Sequence, residues 1–231
     1  MKRFYKKVEV RELEAGRFEV LLDDCPIKTP AKLLLTLPNA GLSQAIAVEW
    51  EVQEETINPS TMPLMRYTAT ALDRVATQRQ AVIDEIAAFG ASDLFCQRAD
   101  SPQDLVTRQS AAWQPLLDWA DEMFQAKLIV TTGIMPVDQP PDAVAALRAV
   151  VAGCDDMTLA GLHGITSITG SLIIGLAVLD GRLDAEDAWE LSQLDETFQV
   201  EQWGEDEEAT ARRVNLRTAV LDAARFLALI N

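Results

Sequence analysis

Histidine and cysteine are scarce in this chain of 231 residues, and their scarcity excludes several kinds of catalytic and metal site. The three cysteines, Cys25, Cys96 and Cys154, are an odd number and form neither a CxxC nor a Cys/His spacing. This pattern is typical of buried thiols in a reducing compartment and argues against a disulfide framework or a zinc site. The only histidine, His163, lies among Gly and Ile residues, which favours a packed ring over a catalytic one.

Basic residues are also in deficit, with 20 Lys and Arg against 36 Asp and Glu and a formal net charge of −16. Nucleic acids and anionic membranes are bound by clustered Lys and Arg, so neither is an expected partner. A basic protein surface is the better candidate. Charge is unevenly distributed along the chain, because residues 1–32 carry eight basic and six acidic residues whereas residues 184–208 carry eleven acidic residues and no basic one.

Nucleotide-binding and targeting signals are missing as well. The sequence has no GxxxxGK[ST] or GxGxxG spacing, so its glycines do not form a phosphate-binding loop. No apolar signal segment follows Met1, and the first six residues are not those of a Ser-rich transit peptide. We therefore expect a cytoplasmic protein.

One long uncharged stretch is present. Leu159–Leu179 carries no formal charge over 21 residues, a length that meets the test for a membrane span. Its Ser and Thr residues, its four glycines and its acidic flanks favour instead a buried central helix. The small residues would then allow neighbouring helices to approach closely.

The N-terminal part of the chain has the patterns of a small antiparallel sheet. Residues 7–11 and 17–22 alternate between apolar and polar and flank a Glu-Ala-Gly turn, which predicts a β-hairpin. Leu33–Leu37 is predicted to be a further buried strand. From Leu42 the period becomes helical, which predicts a helix that covers the sheet.

The remainder of the chain is helical in pattern. Helices are predicted at residues 64–75, 81–89, 105–124, 142–151 and 184–203, with a last one that ends near Ile230. Lys127–Ile134 is β-branched enough for one short strand, a candidate member of the N-terminal sheet. We therefore predict an α+β protein, with a β-rich N-terminal domain at residues 1–80 and a larger all-helical C-terminal domain at residues 81–231.

The stretch Leu194–Glu208 departs from the Ala- and Leu-rich pattern on either side of it, because acids, amides and one Trp are concentrated there. On a helix, Glu196, Gln199 and Trp203 line up at positions i, i+3 and i+7, away from the side of Leu194 and Phe198. An outward Trp beside a carboxylate and an amide is the composition of a protein-binding anchor. A Trp that caps the core beside solvated charges is the alternative, and composition leaves both interpretations open.

The end of that stretch has an ordinary structural interpretation. Gly204 is a predicted helix C-cap, and the four acids Glu205–Glu208 are predicted to begin the last helix. An acid in a first helical turn stabilises the helix by about 0.3–1 kcal/mol through its dipole. The position of Trp203 is not explained by this effect.

Short motifs in a fixed order give the chain a resemblance to a known family. They are Lys2–Lys6, Ile27–Lys32, Ala47–Trp50, Pro59–Leu64, Asp73–Val75, Asp93–Ala99, Trp113–Trp119, Ser171-Leu172, Leu194–Gln199 and Trp203–Asp206. In this order they resemble the assembly chaperones of F-type ATP synthase that bind the free alpha subunit in mitochondria and alphaproteobacteria. The resemblance extends nearly from end to end, and it is the order of the motifs that is diagnostic.

The resemblance implies a two-domain protein that masks the alpha subunit until the beta subunit replaces it, with no catalysis, cofactor or metal. The Glu196, Gln199 and Trp203 stripe matches the family's late motif, so we predict partner contact there. Charge complementarity is expected from Asp195, Glu205 and Asp206. Phe198 stands where the family often has Trp, and we interpret it as a packing residue.

The resemblance also predicts the binding partner of this protein. The alpha subunit is the expected partner, and neither nucleic acid nor stable membrane insertion is expected. We expect a monomer and, because no targeting segment is visible, a bacterial member of the family.

The competing hypothesis is a carboxylate-dependent or metal-dependent hydrolase that uses paired acids such as Asp195 and Glu205. Paired carboxylates catalyse when they lie in a cleft and in different environments. The sequence has no recognisable nucleophile or metal-ligand spacing, so reversible protein binding is the favoured class.

Overall fold

A computed structural model describes residues 1–133, 137–204 and 206–230. Packing divides the chain into two compact units. The first comprises Met1–Arg79, Asp155–Gly161 and the end of the chain from Arg225, and the second comprises Gln80–Cys154 and Leu162–Ala224. The division into a β-rich domain at residues 1–80 and a helical domain at residues 81–231 stays a prediction.

A three-stranded antiparallel sheet forms one layer of the first unit. Its strands are β1 (Val8–Glu12), β2 (Phe18–Leu22) and β3 (Cys25–Pro26), in that order across the sheet. A single 3-10 turn at Glu14–Gly16 joins β1 to β2. The predicted hairpin is therefore confirmed.

Helix α1 (Ala40–Glu51) packs on β1 and β2, as the change of period at Leu42 predicts. Leu42 and Ile46 of this helix are fully buried. The Asn39 side chain caps the helix by accepting a hydrogen bond from the Leu42 N–H at 2.9 Å. The core of this unit also contains Phe226 from the far end of the chain. Its ring stacks on Tyr67, with the ring centroids 5.2 Å apart.

The predicted buried strand at Leu33–Leu37 is wrong. This segment makes two isolated bridges instead, Leu34 opposite Lys28 and Leu37 opposite Phe18. Leu35 and Leu37 enter the core, but Leu33 and Leu34 lie in a tight loop and are exposed. Four leucines within five residues give no signal for which of them leave the core, so the exposure of Leu33 and Leu34 could not be predicted from the sequence.

Helix α2 (Pro63–Thr70), a π-helical segment (Ala71–Val75) and α3 (Ala76–Ala91) follow without an intervening loop. The start of α2 is capped by the buried carboxylate of Glu49, which accepts hydrogen bonds from the N–H groups of Leu64 at 2.7 Å and Met65 at 2.9 Å. This contact fixes α2 against α1.

The second unit is largely helical. The remaining helices are α4 (Gln103–Phe124), α5 (Pro141–Gly153), α6 (Asp156–Thr169), α7 (Leu172–Leu179), α8 (Ala185–Ser192), α9 (Leu194–Trp203) and α10 (Glu207–Ile230). Of these, α6 begins and α10 ends in the first unit. A small sheet followed by mostly helical structure confirms the predicted α+β class.

The strand predicted within Lys127–Ile134 exists, but its pairing with the N-terminal sheet is wrong. Strand β5 (Thr131–Thr132) pairs in parallel with β4 (Gln97–Arg98). The Gln139 amide holds the preceding Ile129 backbone through two hydrogen bonds of 2.7 and 2.9 Å, which fixes the segment within the second unit. Ile134 lies outside the described residues.

The uncharged stretch Leu159–Leu179 is buried as predicted, but it forms α6 and α7 rather than one central helix. Gly170 has a φ of 70°, and Ser171 then caps α7 by accepting a hydrogen bond from the Ile174 N–H at 3.0 Å. The expected close approach is confirmed at Gly175, where an added Cβ would lie 2.7 Å from Leu162 Cδ1. Within the described residues, we find no helix with the length and apolar character needed to cross a membrane.

Candidate protein-binding surface

The predicted helix at residues 184–203 is broken in two at Gln193, whose φ and ψ are −108° and 15°. Burial of two aromatic side chains accounts for the break. Trp189 and Phe198 are nine residues apart, so a continuous helix would place them about 180° apart on opposite faces. Both are nevertheless buried, which requires α9 to turn relative to α8.

The inward face of α9 is held by Phe198, which is 5% exposed. Arg108 of α4 lies over its ring, with the guanidinium carbon 5.3 Å from the ring centroid. The same arginine donates a hydrogen bond from Nη1 to Glu201 Oε2 at 2.6 Å. The packing role predicted for Phe198 is confirmed, and Arg108 adds a polar clamp one turn further along α9.

Further hydrogen bonds fix the start of α9. Gln109 of α4 donates from Nε2 to Asp195 Oδ1 at 2.7 Å, while its own Oε1 accepts from the Ala99 N–H at 2.8 Å. Arg213 of α10 donates to Thr197 Oγ1 at 2.9 Å. Asp195 is therefore half-buried and occupied in positioning α9, so its contribution to an external surface is its charge.

The inward side of α9 also borders a cleft of about 740 Å³. Arg108, Arg213 and Arg217 all line it. Arg217 donates from Nε to Glu186 Oε2 at 2.9 Å, so α8 and α10 are joined across the cleft. Together these contacts connect α9 and its neighbours to one another on the side that faces away from Trp203.

The outward face of α9 carries Glu196, Gln199 and Trp203, all exposed, with Trp203 at 79%. Within the part of the chain that the structure describes, these three side chains make neither a hydrogen bond nor an ion pair. The alternative of a Trp that caps the core is wrong, because this ring lies almost entirely in solvent. We call these three residues the α9 stripe.

The junction between α9 and α10 follows the sequence pattern. Gly204 ends α9 with a φ of 87°, and its N–H donates to the Val200 carbonyl at 2.8 Å, which confirms the predicted C-cap. Asp206 is exposed and begins the next helix, since its Oδ2 accepts from the Ala209 N–H at 3.0 Å. Glu205, the remaining residue of the predicted contact set, lies outside the described residues.

The hydrolase hypothesis requires a metal site or a catalytic side chain. Residues 1–133, 137–204 and 206–230 contain no group of three or more His, Cys, Asp or Glu side chains that could hold a metal ion. His163 Nε2 lies 3.4 Å from Glu85 Oε2, which pairs the only imidazole with a carboxylate on α3.

Three buried or half-buried acids that sequence reasoning left without a role join the motifs that define the resemblance. Glu49 caps α2, Asp73 contacts Thr29, and Asp93 caps α7. Trp113, which belongs to another of these motifs, donates from its indole N–H to the Leu191 carbonyl at 3.0 Å. No local sequence signal links these residues to their partners, because each partner lies 15 or more positions away in the chain.

Aromatic residues dominate the energetics of protein–protein contacts, so the exposed Trp203 makes the α9 stripe the candidate contact surface. Comparisons with known proteins define the class further. The family model described as ATP12 chaperone protein matches residues 2–121.

Solved structures agree over the full length. A crystal structure of Atp12 from Paracoccus denitrificans is 43% identical and superposes with a TM-score of 0.94, covering 100% of this chain and 98% of that one. A chaperone-like protein from Agrobacterium tumefaciens is 44% identical, with a TM-score of 0.93 and coverage of 100% and 86%. The mitochondrial protein atp12 of Schizosaccharomyces pombe is 22% identical in an alignment 224 residues long, which covers 90% of this chain and 75% of that protein.

The chain therefore belongs to the ATP12 chaperone family. This membership confirms the resemblance predicted from the order of the motifs, and both solved structures described above are from bacteria, as expected.

Proposed function

We propose that this protein binds the unassembled alpha subunit of F-type ATP synthase, shields its interface from aggregation and releases it for assembly with the beta subunit. Membership of the ATP12 chaperone family supports a chaperone function. An unassembled subunit exposes apolar surface that would otherwise aggregate, so a transient cover is physically required. The proposed site of action is the bacterial cytoplasm.

The α9 stripe is the proposed contact, and the exposure of Trp203 is the observation that carries the proposal. A partner that buries this ring removes a large apolar surface from water at little entropic cost, because the helix beneath it is already fixed. Glu196 and Gln199 then orient the partner through polar contacts. Asp195 and Asp206 add negative charge beside the stripe, and Glu205 stays a predicted contact.

The acidity of the protein favours a basic rim on the partner surface. With a net charge of −16, the chain attracts a positively charged surface over the range of the Debye length, about 8–10 Å at physiological salt. A small apolar anchor with an electrostatic rim suits a reversible complex, because few residues carry the binding energy and the beta subunit can displace them.

Binding rather than catalysis is the proposed activity. The hydrolase alternative pairs Asp195 with Glu205, but Asp195 Oδ1 already accepts the hydrogen bond from Gln109 that holds α9. Measurement of bound metal in the purified protein separates the two classes, because a stoichiometric, tightly bound metal ion would favour the hydrolase.

Affinity measurement with purified alpha subunit tests the site. Trp203→Ala is expected to weaken binding by about tenfold or more, as anchor residues do, and Glu196→Lys is expected to weaken it through charge reversal. Val214→Ala is the matched control, since Val214 is an apolar residue on α10 that is 59% exposed. Wild-type affinity in both folded stripe variants would contradict the proposed site.

A further inference from the structure

Residues 28–34 of the first unit form a compact loop, here called the Lys28–Leu34 loop. Lys28 and Leu34 form an antiparallel bridge at its base. Within it, the Thr29 N–H donates to the Leu33 carbonyl at 2.9 Å, and the Lys32 N–H donates to the Thr29 carbonyl at 2.8 Å. The backbone is therefore fixed along the whole loop.

Asp73 fixes the loop from the other side. The Thr29 hydroxyl donates to Asp73 Oδ1 at 2.6 Å, and the Ala31 N–H donates to Asp73 Oδ2 at 3.0 Å. Asp73 lies in the π-helical segment Ala71–Val75, a rare conformation that is frequent at functional sites. Lys32 adopts a φ of 68°, which a side-chain-bearing residue seldom does unless its surroundings impose it.

The loop presents apolar and basic groups to solvent. Leu33 and Leu34 are both exposed, Leu34 at 57%, and the side chains of Lys28 and Lys32 are exposed beside them. Leu35 already fills the core, so packing of the first unit does not require its two predecessors. The loop carries two bases and no acid in a chain whose net charge is −16.

We propose that the Lys28–Leu34 loop is a second protein-binding contact, which inserts Leu33 and Leu34 into an apolar groove rimmed by carboxylates on the unassembled alpha subunit. The proposal rests on the proposed function. Preorganisation supports it, because a loop held by this many hydrogen bonds loses little entropy on binding. Charge supports it as well, since the lysines select an acidic rim, the opposite of the basic rim selected by the α9 stripe.

An anionic membrane has chemistry that the two leucines and two lysines would also fit. The net charge of −16 opposes it, because an extended anionic surface also repels acids that lie outside the loop, and this repulsion offsets the attraction of the two lysines. A protein groove with a local acidic rim avoids that repulsion, and it is therefore the occupant that we assign.

Photo-crosslinking and affinity measurement with purified alpha subunit test the proposal. Leu34 replaced by p-benzoylphenylalanine is expected to crosslink to the subunit, whereas Val52 replaced in the same way is not. Val52 is the matched control because it is an apolar side chain of the same unit and 63% exposed. The double variant Leu33→Ser and Leu34→Ser is expected to bind about tenfold more weakly, and Val52→Ser is expected to bind normally.

The outcomes distinguish the loop from the proposed function. Wild-type affinity in the leucine variant, with no crosslink from position 34, overturns the loop contact and leaves the proposed function in place. Failure of the wild-type protein to bind the alpha subunit overturns both. Leucine-dependent binding to vesicles of phosphatidylglycerol and phosphatidylcholine in equal parts, with normal binding to the alpha subunit, overturns the loop contact in favour of a membrane.

Discussion

The Ser171 hydroxyl donates a hydrogen bond to Asp93 Oδ1 at 2.8 Å, and both side chains are fully buried. The other carboxylate oxygen accepts from the Ile173 N–H at 3.0 Å, so Asp93 caps the start of α7. Burial raises the pKa of Asp93 from 3.8 to about 6, although these hydrogen bonds act to lower it. Desolvation of the carboxylate is the larger effect.

This buried acid predicts a pH-dependent contribution to stability. The folded-state pKa lies above the unfolded one, so the contribution of Asp93 is fully present below about pH 4 and is lost as the pH rises through about 6. Relative to Asp93→Asn, which cannot ionise, the wild-type free energy of unfolding is expected to fall by on the order of 3 kcal/mol across that interval. Urea denaturation of both proteins at pH 4, 5, 6 and 7 checks this. A constant difference would show that Asp93 does not titrate in this range.

The two aromatic residues of α9 are expected to differ in their effect on stability. Phe198→Ala removes a buried ring and is expected to lower the free energy of unfolding by about 3–5 kcal/mol. Trp203→Ala removes an exposed ring and is expected to change it by less than about 0.5 kcal/mol. Urea denaturation with intrinsic fluorescence and circular dichroism measures both. A large loss of stability in Trp203→Ala would contradict the assignment of that ring to an external contact.

Gly175 is expected to tolerate no side chain. A Cβ at this position would lie 2.7 Å from Leu162 Cδ1 and 2.8 Å from Thr166 Oγ1, so in Gly175→Ala these two buried side chains, or the helices that carry them, must shift. The expected cost is about 1–3 kcal/mol, measured as a lowered melting temperature. Gly153→Ala is the control, because a Cβ there meets nothing within 4 Å. Equal melting temperatures of the two variants would refute the close packing at Gly175.

Association with the alpha subunit is expected to depend on salt through the α9 stripe. Glu196→Gln removes one exposed charge while keeping a similar side-chain shape, so it is expected to slow association at low ionic strength. At about 1 M salt, where the Debye length is about 3 Å, the wild-type and variant rates should converge. Stopped-flow measurement of the change in tryptophan fluorescence on binding provides the rates. If the two association rates still differ by the same factor at high salt, Glu196 contacts the alpha subunit directly and does not act by long-range attraction.

Local signals in the sequence were sufficient for the hairpin at Glu14–Gly16, the helix that begins at Ala40 and the C-cap at Gly204. Each depends on residues within a few positions of one another. The break at Gln193 could not be predicted locally, because it follows from the joint burial of Trp189 and Phe198. Helical spacing predicted that Glu196, Gln199 and Trp203 share one face of a helix. It could not predict whether that face is exposed, because exposure depends on how α9 packs against other helices.

The contacts that buried acids make with distant segments could not be predicted from the sequence either. Asp93 meets Ser171 across 78 positions, and Asp73 meets Thr29 across 44. A single carboxylate that serves a distant segment leaves no periodic pattern in its own neighbourhood. The order of the motifs records these pairs only as a family resemblance, without indicating which residues touch.

Phe226 lies in the core of the unit that contains the N-terminal sheet, and this has a consequence for synthesis of the protein on the ribosome. Translation proceeds from the N-terminal side, so Leu42, Ile46 and Tyr67 are synthesised before the Phe226 ring that packs in the same core. That core cannot be completed until translation has reached the last residues. A polypeptide that ends before Phe226 therefore exposes apolar surface beside Tyr67, and such exposed surface makes an incomplete chain prone to aggregate.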